Sequence, residues 1–599
     1  MHLPPGPRYV LENSVNLLTP PALTFLSAKI YYALGFEAPL WVVVLLGCCS
    51  IPFAIFLRVW NKSTTDRRSA REYVATLSPR VYDKWPGGIT LLAQMVDNLK
   101  NGYPGDIFVE WTVKYGPIWN MAALFEDRVF TSEPEYIQAI LATQFHKFER
   151  GPVVYEQLKS MLGTGVFNSD GEMWRFHRAM TRPFFNKTRI SNFEIFDQHA
   201  TEALTQLKSR LREGYPVDIQ DLASRFTMDC STTFLLGKNV RSLGAGLPYP
   251  YYAAKTKTAT PEHPANKFSK AFDEAQHAVA LRARRGANWP LAEFWKDVVK
   301  EKMDIIHSFV NPIMQTAIER KTALGIASDN AGGFPEKVNI DDTRGMRIGD
   351  SLLDHLLLYT EDETILRDEI VNILLAGRDT TMNSITFSVY MLAEHPDVQQ
   401  RLRKEILDII GDSQCPTADD LKNMKYLRAV INETLRLYPS APFILRTSSE
   451  PVILPSKNGN KPFFIPARSK VLADLLLLHR RRDLWGPDAL EFDPDRFLDQ
   501  RLKTYLGANP LIFLPFSAGP RICLGQQIPQ FAYNEISFFL VRLLQKFSSI
   551  SHDFEAQPPD LRPPTAWSGA EGPKGRDKIR MNSYMTMSAM GGCWIRLEA

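Results

Sequence analysis

One cysteine stands in a frame of residues that suits a metal-ligating thiolate. Cys523 is flanked by Phe516, Gly519, Arg521 and Gly525. Such a ligand must be deprotonated and shielded from water. Gly519 permits a tight turn that directs backbone N–H groups at the sulfur, and a helix beginning just after Cys523 would aim its positive end there. Phe516 can cover the sulfur, Arg521 can pair with an anionic cofactor edge, and Gly525 lets a flat cofactor approach the backbone. The alternative is that Cys523 is a buried thiol that neither binds a metal nor takes part in a reaction.

A second group of polar residues lies inside a strongly helical segment. The chain is predicted to be helical from about 362 to 395, and Ala376, Gly377, Asp379 and Thr380 lie in its middle. Gly, Asp and Thr are poor helix formers. We therefore expect a local opening of the helix, with an acid and an alcohol placed to pass protons. A polar turn that faces solvent is the alternative interpretation.

Three separated charges predict an ion-pair network. Glu433 and Arg436 stand at positions i and i+3 of a helix, so they share a face and can pair. Arg496, in a loop marked by Pro494, can join them. On its own the pair is a pattern that any surface helix can show.

The composition is that of a large globular protein and excludes a disordered, a collagenous or a small disulfide-rich chain. Of 599 residues, 45% are hydrophobic and 23% are charged, with 70 Lys and Arg against 66 Asp and Glu. The net charge of +4 does not indicate a nucleic-acid partner. The six cysteines lack CxxC or zinc-ligand spacing, which indicates a reducing compartment. Helical patterns after residue 80 predict one helix-rich domain, with polar inserts at 244–266 and 321–350.

The N-terminal region is predicted to attach the protein to a membrane. Residues 40–57 form an uncharged apolar run, close to the ~20 residues that cross a bilayer. Basic residues follow the run, and this bias places the rest of the chain in the cytosol. We expect an apolar or interfacial segment at 1–39, a single transmembrane anchor at 40–57 and a basic linker at 58–84. A buried core helix is the alternative for 40–57, and residues 15–36 are either interfacial or a second span.

Five motifs occur in the order and spacing of one enzyme family. The frame around Cys523 resembles the haem-binding signature of the cytochrome P450 monooxygenases. The polar group at 376–381 resembles their oxygen-activation helix. Glu433 and Arg436 resemble the family's paired helix, and Arg496 resembles the third member of that structural triad. Trp174 and Arg178 resemble the helix whose Trp and Arg reach the haem propionates.

The resemblance covers residues 85–599 and implies the family's fold and cofactor. The implied fold is mostly α with small β-sheets, preceded here by the transmembrane helix. The implied cofactor is haem b (iron protoporphyrin IX), with Cys523 as the iron ligand, and thiolate ligation favours O–O cleavage. The residues assigned to cofactor binding are Cys523, Trp174, Arg178, Arg446, Phe516, Gly519, Arg521, Gly525, Ala376 and Gly377.

The resemblance also implies a reaction and its partners. One oxygen atom from O2 enters a C–H bond and the other is reduced to water, with Asp379 and Thr380 delivering protons. Electrons come from NADPH through cytochrome P450 reductase, with cytochrome b5 as a further donor, at the endoplasmic reticulum membrane. Two other functions stay open: a haem-thiolate isomerase or dehydratase, which needs no reductase, and a non-catalytic haem sensor. The intact Asp379–Thr380 pair argues against the isomerase.

Finer details are similar to fungal membrane-bound members that hydroxylate n-alkanes and fatty acids at or near the chain terminus. They lie at 479–489, at 519–527 and in a C-terminal segment expected to form a β-hairpin across Gly591 and Gly592. We expect a hydrophobic substrate, with aromatic xenobiotics as a further class. The predicted pocket residues are Phe443, Ile444, Phe167 and Met587.

The sequence departs from the family at one point after the Cys523 frame. Ile528, Pro529 and Gln530 intervene where related proteins continue directly into the next helix. A proline inside that helix would cost ~3 kcal/mol unless the helix kinks. The insertion is therefore expected to disturb helix packing behind the haem and to weaken haem binding.

Overall fold

The chain is mostly helical in the computed structural model, which describes residues 3–186, 193–253, 263–323, 351–456, 459, 461–524 and 527–598. The described α-helices are α1 (Pro5–Glu12), α2 (Ser14–Ala33), α3 (Leu40–Glu72), α4 (Ile89–Asn101), α5 (Asp106–Tyr115), α6 (Pro134–Gln138), α7 (Pro152–Leu162), α8 (Gly171–Thr181), α9 (Glu194–Arg212), α10 (Ile219–Leu236), α11 (Pro264–Arg285), α12 (Val298–Ala323), α13 (Leu352–Leu356), α14 (Glu363–Glu394), α15 (Pro396–Ile410), α16 (Ala418–Asn423), α17 (Lys425–Leu437), α18 (Leu475–Leu478), α19 (Arg482–Trp485), α20 (Gln527–Lys546) and α21 (Pro573–Arg576).

The strands form small sheets at the edge of this helical body. They are β1 (Thr76–Leu77), β2 (Ile118–Ala123), β3 (Glu126–Thr131), β4 (Phe148–Glu149), β5 (Val217–Asp218), β6 (Phe443–Ser448), β7 (Val452–Ile453), β8 (Phe463–Ile465), β9 (Lys470–Asp474), β10 (Ser549–His552), β11 (Met581–Ser583), β12 (Met587–Ala589) and β13 (Trp594–Glu598). The described sheets have the orders β2-β3-β9-β6-β4, β1-β8-β7, β10-β13-β5 and β11-β12. In the largest sheet, β3 and β9 are parallel and the other neighbours are antiparallel.

Helix α14 forms the centre of the fold, with the bounds predicted from the sequence. Asp362 caps it by accepting the N–H groups of Thr364 and Ile365, and Pro396 begins the next helix. Most of its side chains are buried because α10, α12, α17 and α20 pack around it. The expected local opening is absent, since the α-helix runs unbroken through residues 376–381.

Three helices make up the N-terminal region. Among the described residues, α3 is the one helix long and apolar enough to cross a membrane, with a mean hydropathy of 2.5 in its most apolar window. The predicted linker at 58–84 begins as a continuation of this helix, which ends at Glu72. Residues 58–72 contain neither Gly nor Pro, so nothing in them stops the helix. Lys62, in this extension, pairs with Asp127 of β3.

The inserted residues 528–530 lie at the start of α20. The helix begins at Gln527, so Pro529 is its third residue. The first N–H groups of a helix have no acceptor within it, so a proline there removes no hydrogen bond. The insertion therefore begins the helix and does not interrupt it.

The β-hairpin predicted across Gly591 and Gly592 is wrong. The strand before these glycines, β12, pairs with β11, whereas β13 after them pairs with β10 and β5. Both glycines have positive φ, so the chain turns there as expected. The side chain of Gln220, however, hydrogen-bonds both the N–H and the carbonyl of Ala589. Gln220 thereby satisfies backbone groups that a hairpin partner would otherwise take.

Of the two polar inserts, residues 254–262 and 324–350 lie outside the described residues.

Candidate active site

Cys523 closes a tight loop just before α20. Its N–H donates to the carbonyl of Phe516 at 3.1 Å, and Gly519 begins a single 3-10 turn. Gly519 has a φ of +70°, and a Cβ atom there would lie 1.8 Å from the carbonyl oxygen of Leu141. Glycine is thus required both by the backbone conformation and by this close approach. The ring of Phe516 packs against Tyr533, with centroids 5.3 Å apart.

The predicted triad lies together and is buried. Arg436 donates from Nε and Nη2 to the two carboxylate oxygens of Glu433, at 2.7 Å each, and Arg496 Nε lies 3.5 Å from Glu433 Oε1. Arg436 also donates to the carbonyls of His479 and Ala489. A bidentate pair with its remaining donors satisfied is a rigid unit.

His479 connects this triad to the Cys523 loop. Its Nε2 accepts the N–H of Leu514 at 3.0 Å, while its carbonyl accepts from Arg436 at 2.8 Å. Burial lowers the pKa of His479 to about 3, and Arg436 acts in the same direction. The ring is therefore neutral and can accept a hydrogen bond. Sequence reasoning used His479 only as a subfamily marker and missed this connection.

A cluster of arginines lies beside the Cys523 loop. Arg178 Nη1 donates to the carbonyl of Ile522 at 3.0 Å, and Arg521 Nη2 pairs with Asp170 at 2.5 Å. Both guanidinium groups lie near the ring of Trp174, at 5.8 and 4.8 Å from its centroid. The structure thus brings together three residues that the sequence assigned to one cofactor edge.

The cluster holds more positive than negative charge. Arg446 is 4% exposed. Burial lowers its pKa well below the usual value, with Arg150 and Arg521 adding to the effect and Asp170 opposing it. Burial likewise lowers the pKa of Arg150 to about 10. Arg446 donates to the carbonyl of Leu445, and within the described residues its Nε has no hydrogen-bond partner. An anion placed among these groups would relieve their repulsion.

Two members of this cluster were not predicted from the sequence. Arg150 stands outside any recognised motif, and Asp170 accepts the N–H groups of Arg150 and Gly151. Only the approach of β4, α8 and the Cys523 loop reveals them. No sequence signal could have identified Arg150.

The Cys523 sulfur needs a bound metal ion, in addition to the nearby arginines, to be a thiolate. Burial raises the pKa of its thiol to about 11, although Arg178 and the Leu524 backbone act in the opposite direction. A bound metal ion deprotonates a coordinating thiol. A structural zinc ion takes four protein ligands, whereas this site offers one thiolate next to several cations. That donor set fits a flat metal cofactor with an acidic edge, as haem has.

Asp379 is buried on α14 and is linked to the surface through Arg378. Arg378 Nη1 donates to Asp379 at 2.9 Å and to Asp273 at 2.8 Å, and the side chains of the two aspartates are 2% and 61% exposed. Burial raises the pKa of Asp379 to about 6, Arg378 lowers it and Asp273 raises it. The interpretation of this segment as a solvent-facing turn is therefore wrong.

Thr380 and Ala376 share one face of α14. The Thr380 hydroxyl donates to the carbonyl of Ala376 at 2.6 Å. Gly377 instead faces α10, where a Cβ atom would lie 3.0 Å from Ser231 Oγ. Gly377 thus permits close packing of α10 on α14, and its cofactor contact stays a prediction.

Three distant segments meet at Thr380. The Ser440 hydroxyl donates to the Thr380 carbonyl at 3.0 Å, and the Met587 N–H donates to the Ser440 carbonyl at 3.1 Å. Asn383 of α14 donates to the Met587 carbonyl at 2.5 Å. These bonds hold the loop before β6 and strand β12 against the polar part of α14.

The predicted pocket residues do not all lie together. Met587 and Phe167 belong to the main apolar cluster, and the residue of β6 that joins them is Leu445. Ile444 packs in a different cluster, and the Phe443 ring lies against Phe108 with centroids 5.4 Å apart. Successive side chains of a strand point to opposite faces, so Ile444 cannot face the same side as Leu445.

Gly525, the last member of the Cys523 frame, lies outside the described residues.

Comparison with known proteins identifies the family. A family model described as "Cytochrome P450" matches residues 86–571. The chain is 32% identical over 537 residues to cytochrome P450 monooxygenase pvhE of Talaromyces variabilis, covering 84% of this chain and 89% of that protein. It is 34% identical over 446 residues to cytochrome P450 52A3-A of Candida maltosa, covering 72% and 77%. A cytochrome P450 of Arthroderma benhamiae is 31% identical over 566 residues, covering 93% and 99%.

The chain belongs to the cytochrome P450 family. The predicted likeness to fungal members is confirmed, as is the mostly helical fold with small sheets. An N-terminal apolar helix that is able to serve as a membrane anchor precedes this fold. Family membership implies haem as cofactor and an oxidoreductase activity.

Proposed function

We propose that the protein is a haem-thiolate monooxygenase that hydroxylates long apolar chains, namely n-alkanes and fatty acids. One observation carries the proposal: a single cysteine closes a tight loop beside four arginines that are short of negative charge. A cofactor with a central metal and acidic substituents satisfies both features at once.

In this proposal Cys523 would hold the iron of haem b through its thiolate. Arg178, Arg446 and Arg521 hold the propionates, together with Trp174, and Arg150 is a further contributor. Gly519 and Phe516 shape the loop around the sulfur, and Gly525 belongs to the same sequence frame. When bound, the haem activates O2, so that one oxygen atom enters a C–H bond and the other becomes water.

Protons are delivered from α14. Arg378 pairs with both the buried Asp379 and the exposed Asp273, so it positions the Asp379 carboxyl at the end of a polar path from the surface. The guanidinium keeps its own proton, so the proton that is delivered is the one on Asp379. Thr380, on the same helix face as Ala376, holds a proton at the side of the reacting oxygen. The triad Glu433, Arg436 and Arg496 has a structural role, since Arg436 pairs with Glu433 and donates to backbone carbonyls, while Arg496 lies 3.5 Å from Glu433 and pairs with Asp488.

We assign Phe167, Leu445 and Met587 to the substrate pocket, since all three pack in the main apolar core and Met587 is linked to Thr380 through Ser440. Membrane attachment suits a substrate that partitions into lipid. A cavity of about 610 Å³ between α3 and the residues around Trp85 gives such a substrate a place to enter from the bilayer. Aromatic xenobiotics of similar polarity are a secondary class.

Electrons come from NADPH through cytochrome P450 reductase, with cytochrome b5 as a further donor. We place the protein at the endoplasmic reticulum membrane with the catalytic domain in the cytosol, because the basic residues that follow the apolar run favour that side. An isomerase or dehydratase would not need the Asp379 proton route, and a haem sensor would not need the apolar pocket.

The axial ligand is tested by the carbon monoxide difference spectrum of the reduced protein. Cys523→His should lose the thiolate-type Soret band. Cys593→Ala removes another buried thiol and should keep the band. A thiolate-type band in Cys523→His would refute the assignment.

The substrate class is tested by turnover in reductase-containing microsomes. We expect long-chain alkanes and fatty acids to give hydroxylated products faster than polar or polycyclic compounds, with the position of oxidation read by mass spectrometry. Consistently faster turnover of a polycyclic compound would contradict the proposed substrate class but not the monooxygenase chemistry. Oxygen-independent conversion would instead favour the isomerase.

A further inference from the structure

Helix α2 runs antiparallel to α3 along its apolar run. At one end, Arg58 donates to Asn16 Oδ1 at 2.8 Å. In the middle, a Cβ atom on Gly47 would lie 3.6 Å from the ring of Phe25. At the other end, the Tyr32 hydroxyl donates at 2.5 Å to the carbonyl of Ala38, which lies in the connection between the two helices. Residues 16–33 therefore lie at the same depth as residues 40–58.

The helix before α2 is docked on the catalytic domain. The Gly6 N–H donates to the carbonyl of Phe294 at 2.9 Å, and the Tyr9 hydroxyl donates to Asn288 Oδ1 at 2.7 Å. A Cβ atom on Gly6 would lie 2.6 Å from the Phe294 Cα atom, so the two backbones touch. Asn288 and Phe294 lie in the segment that joins α11 to α12.

These contacts fix the path of the chain across a membrane. We propose that α2 and α3 cross the bilayer together as a helical hairpin, with α1 on the same side as the catalytic domain. The inference rests on the proposed insertion of α3, and it replaces the single-pass anchor expected from residues 40–57 alone. Because α1 touches the domain that follows α3, and α2 lies beside the whole span, α2 must cross back.

The surface of the hairpin fits lipid. The outward side chains of both helices are large and apolar, and examples are Leu18, Leu23, Leu26, Trp41, Leu45 and Phe53. Helix α2 contains no acid and one base, Lys29, near the turn, where its amine can reach the interface. It falls short of the hydropathy that α3 reaches by itself, so its crossing depends on α3 beside it. It also contains Pro20 and Pro21, which a membrane helix packed against a neighbour tolerates.

The distribution of charge agrees with this topology. The connection at residues 34–39 carries Glu37 and no Lys or Arg, whereas Arg8 lies in α1 and several basic residues follow residue 57. Apart from Lys29 near the turn, the basic residues thus lie at the two termini of the hairpin, most of them after residue 57, as the positive-inside rule requires for a turn in the lumen.

Protease protection in sealed microsomes tests the proposal. One variant of the full chain carries an epitope before Pro5, and a second carries it between Gly35 and Phe36. Both must first give the carbon monoxide spectrum of the unmodified protein. Protease added outside should destroy the first epitope and the catalytic domain, and should spare the second epitope until detergent opens the vesicles.

Each other outcome has a distinct meaning. A protected N-terminal epitope with a digested catalytic domain restores the single-pass anchor and overturns the hairpin. Digestion of both epitopes overturns insertion of α2. Protection of the catalytic domain refutes the proposed cytosolic orientation itself, which separates failure of that proposal from failure of the hairpin.

Discussion

The Thr380 hydroxyl donates a 2.6 Å hydrogen bond to the carbonyl of Ala376, one turn earlier in α14. Such back-bonding by itself is a common feature of helices. Only a substitution therefore decides whether the Thr380 hydroxyl also takes part in the reaction. Thr386, further along the same helix, bonds to the Met382 carbonyl at 2.8 Å and provides a matched comparison.

We expect Thr380→Ala to separate NADPH oxidation from product formation. Haem content and substrate binding should persist, and more of the NADPH should end as hydrogen peroxide, because a positioned proton donor contributes ~10²–10⁴-fold. The measurement is the ratio of hydroxylated product to NADPH oxidised. Thr386→Ala should leave the ratio unchanged. An equal ratio in wild type and Thr380→Ala would remove Thr380 from the mechanism.

Asp379→Asn should slow NADPH oxidation itself, by roughly ten-fold or more if proton supply limits the reaction. Burial raises the pKa of Asp379 to about 6, so the folded protein holds this proton below that pH and loses it above. The wild-type rate should therefore fall as pH rises through about 6, whereas the variant should be slow and pH-independent. The rate is normalised to cytochrome c reduction by the same reductase. A variant with the wild-type rate and pH profile would exclude this role.

Arg446→Met should weaken haem retention and stabilise the haem-free protein. Burial and the neighbouring Arg150 and Arg521 lower the pKa of this guanidinium, so removing it relieves repulsion when no anion is bound. A hydrogen bond to a charged group contributes ~1.5–3 kcal/mol, which corresponds to roughly ten-fold or more in the rate of haem transfer to apomyoglobin.

The control is Arg446→Lys, which should recover part of the retention because it restores the charge. Thermal unfolding of haem-free and haem-bound protein supplies the second readout. Equal haem transfer in wild type and Arg446→Met would show that Arg446 does not hold the cofactor.

Glu433→Gln should destabilise the fold strongly. Removing one partner of a buried ion pair costs ~3–5 kcal/mol because the other charge stays buried, and Arg436 and Glu433 are both fully buried. The comparison is Arg401→Ala, which breaks a pair with Asp495 whose side chains are 52% and 40% exposed and should cost ~0–1 kcal/mol. Thermal midpoints measure both. Similar midpoints for the two variants would contradict a structural role for the triad.

Glu535→Gln should be more stable than wild type at neutral pH. Burial raises the pKa of Glu535 to about 8, so between about 4.5 and 8 the folded state binds a proton that the unfolded state releases. Wild-type stability should therefore decrease as pH rises across that window, and the variant should lack this decrease. Glu555→Gln, at a side chain that is 83% exposed, should follow wild type. Parallel pH profiles of wild type and Glu535→Gln would refute the expectation.

Local signals determined several features from the sequence alone. Asp362 and Pro396 mark the ends of α14 because capping and the missing proline N–H act within a few residues. The frame of Cys523 was recognisable because a thiolate loop needs a glycine turn and small offsets along the chain. The apolar run at 40–57 predicted α3 by length and composition.

Only the tertiary structure decided which distant groups meet. Arg150 joins the arginine cluster because separate elements converge on Asp170, and no spacing in the sequence records that approach. Leu445, rather than Ile444, packs in the apolar cluster of Met587 because the pairing of β6 with β9 sets which face each side chain takes. Gln220 separated β12 from β13 by a contact across 369 residues, and the docking of α1 on Phe294 gave α2 its direction. Contacts of this range depend on the packed shape of the whole chain, which local propensity does not contain.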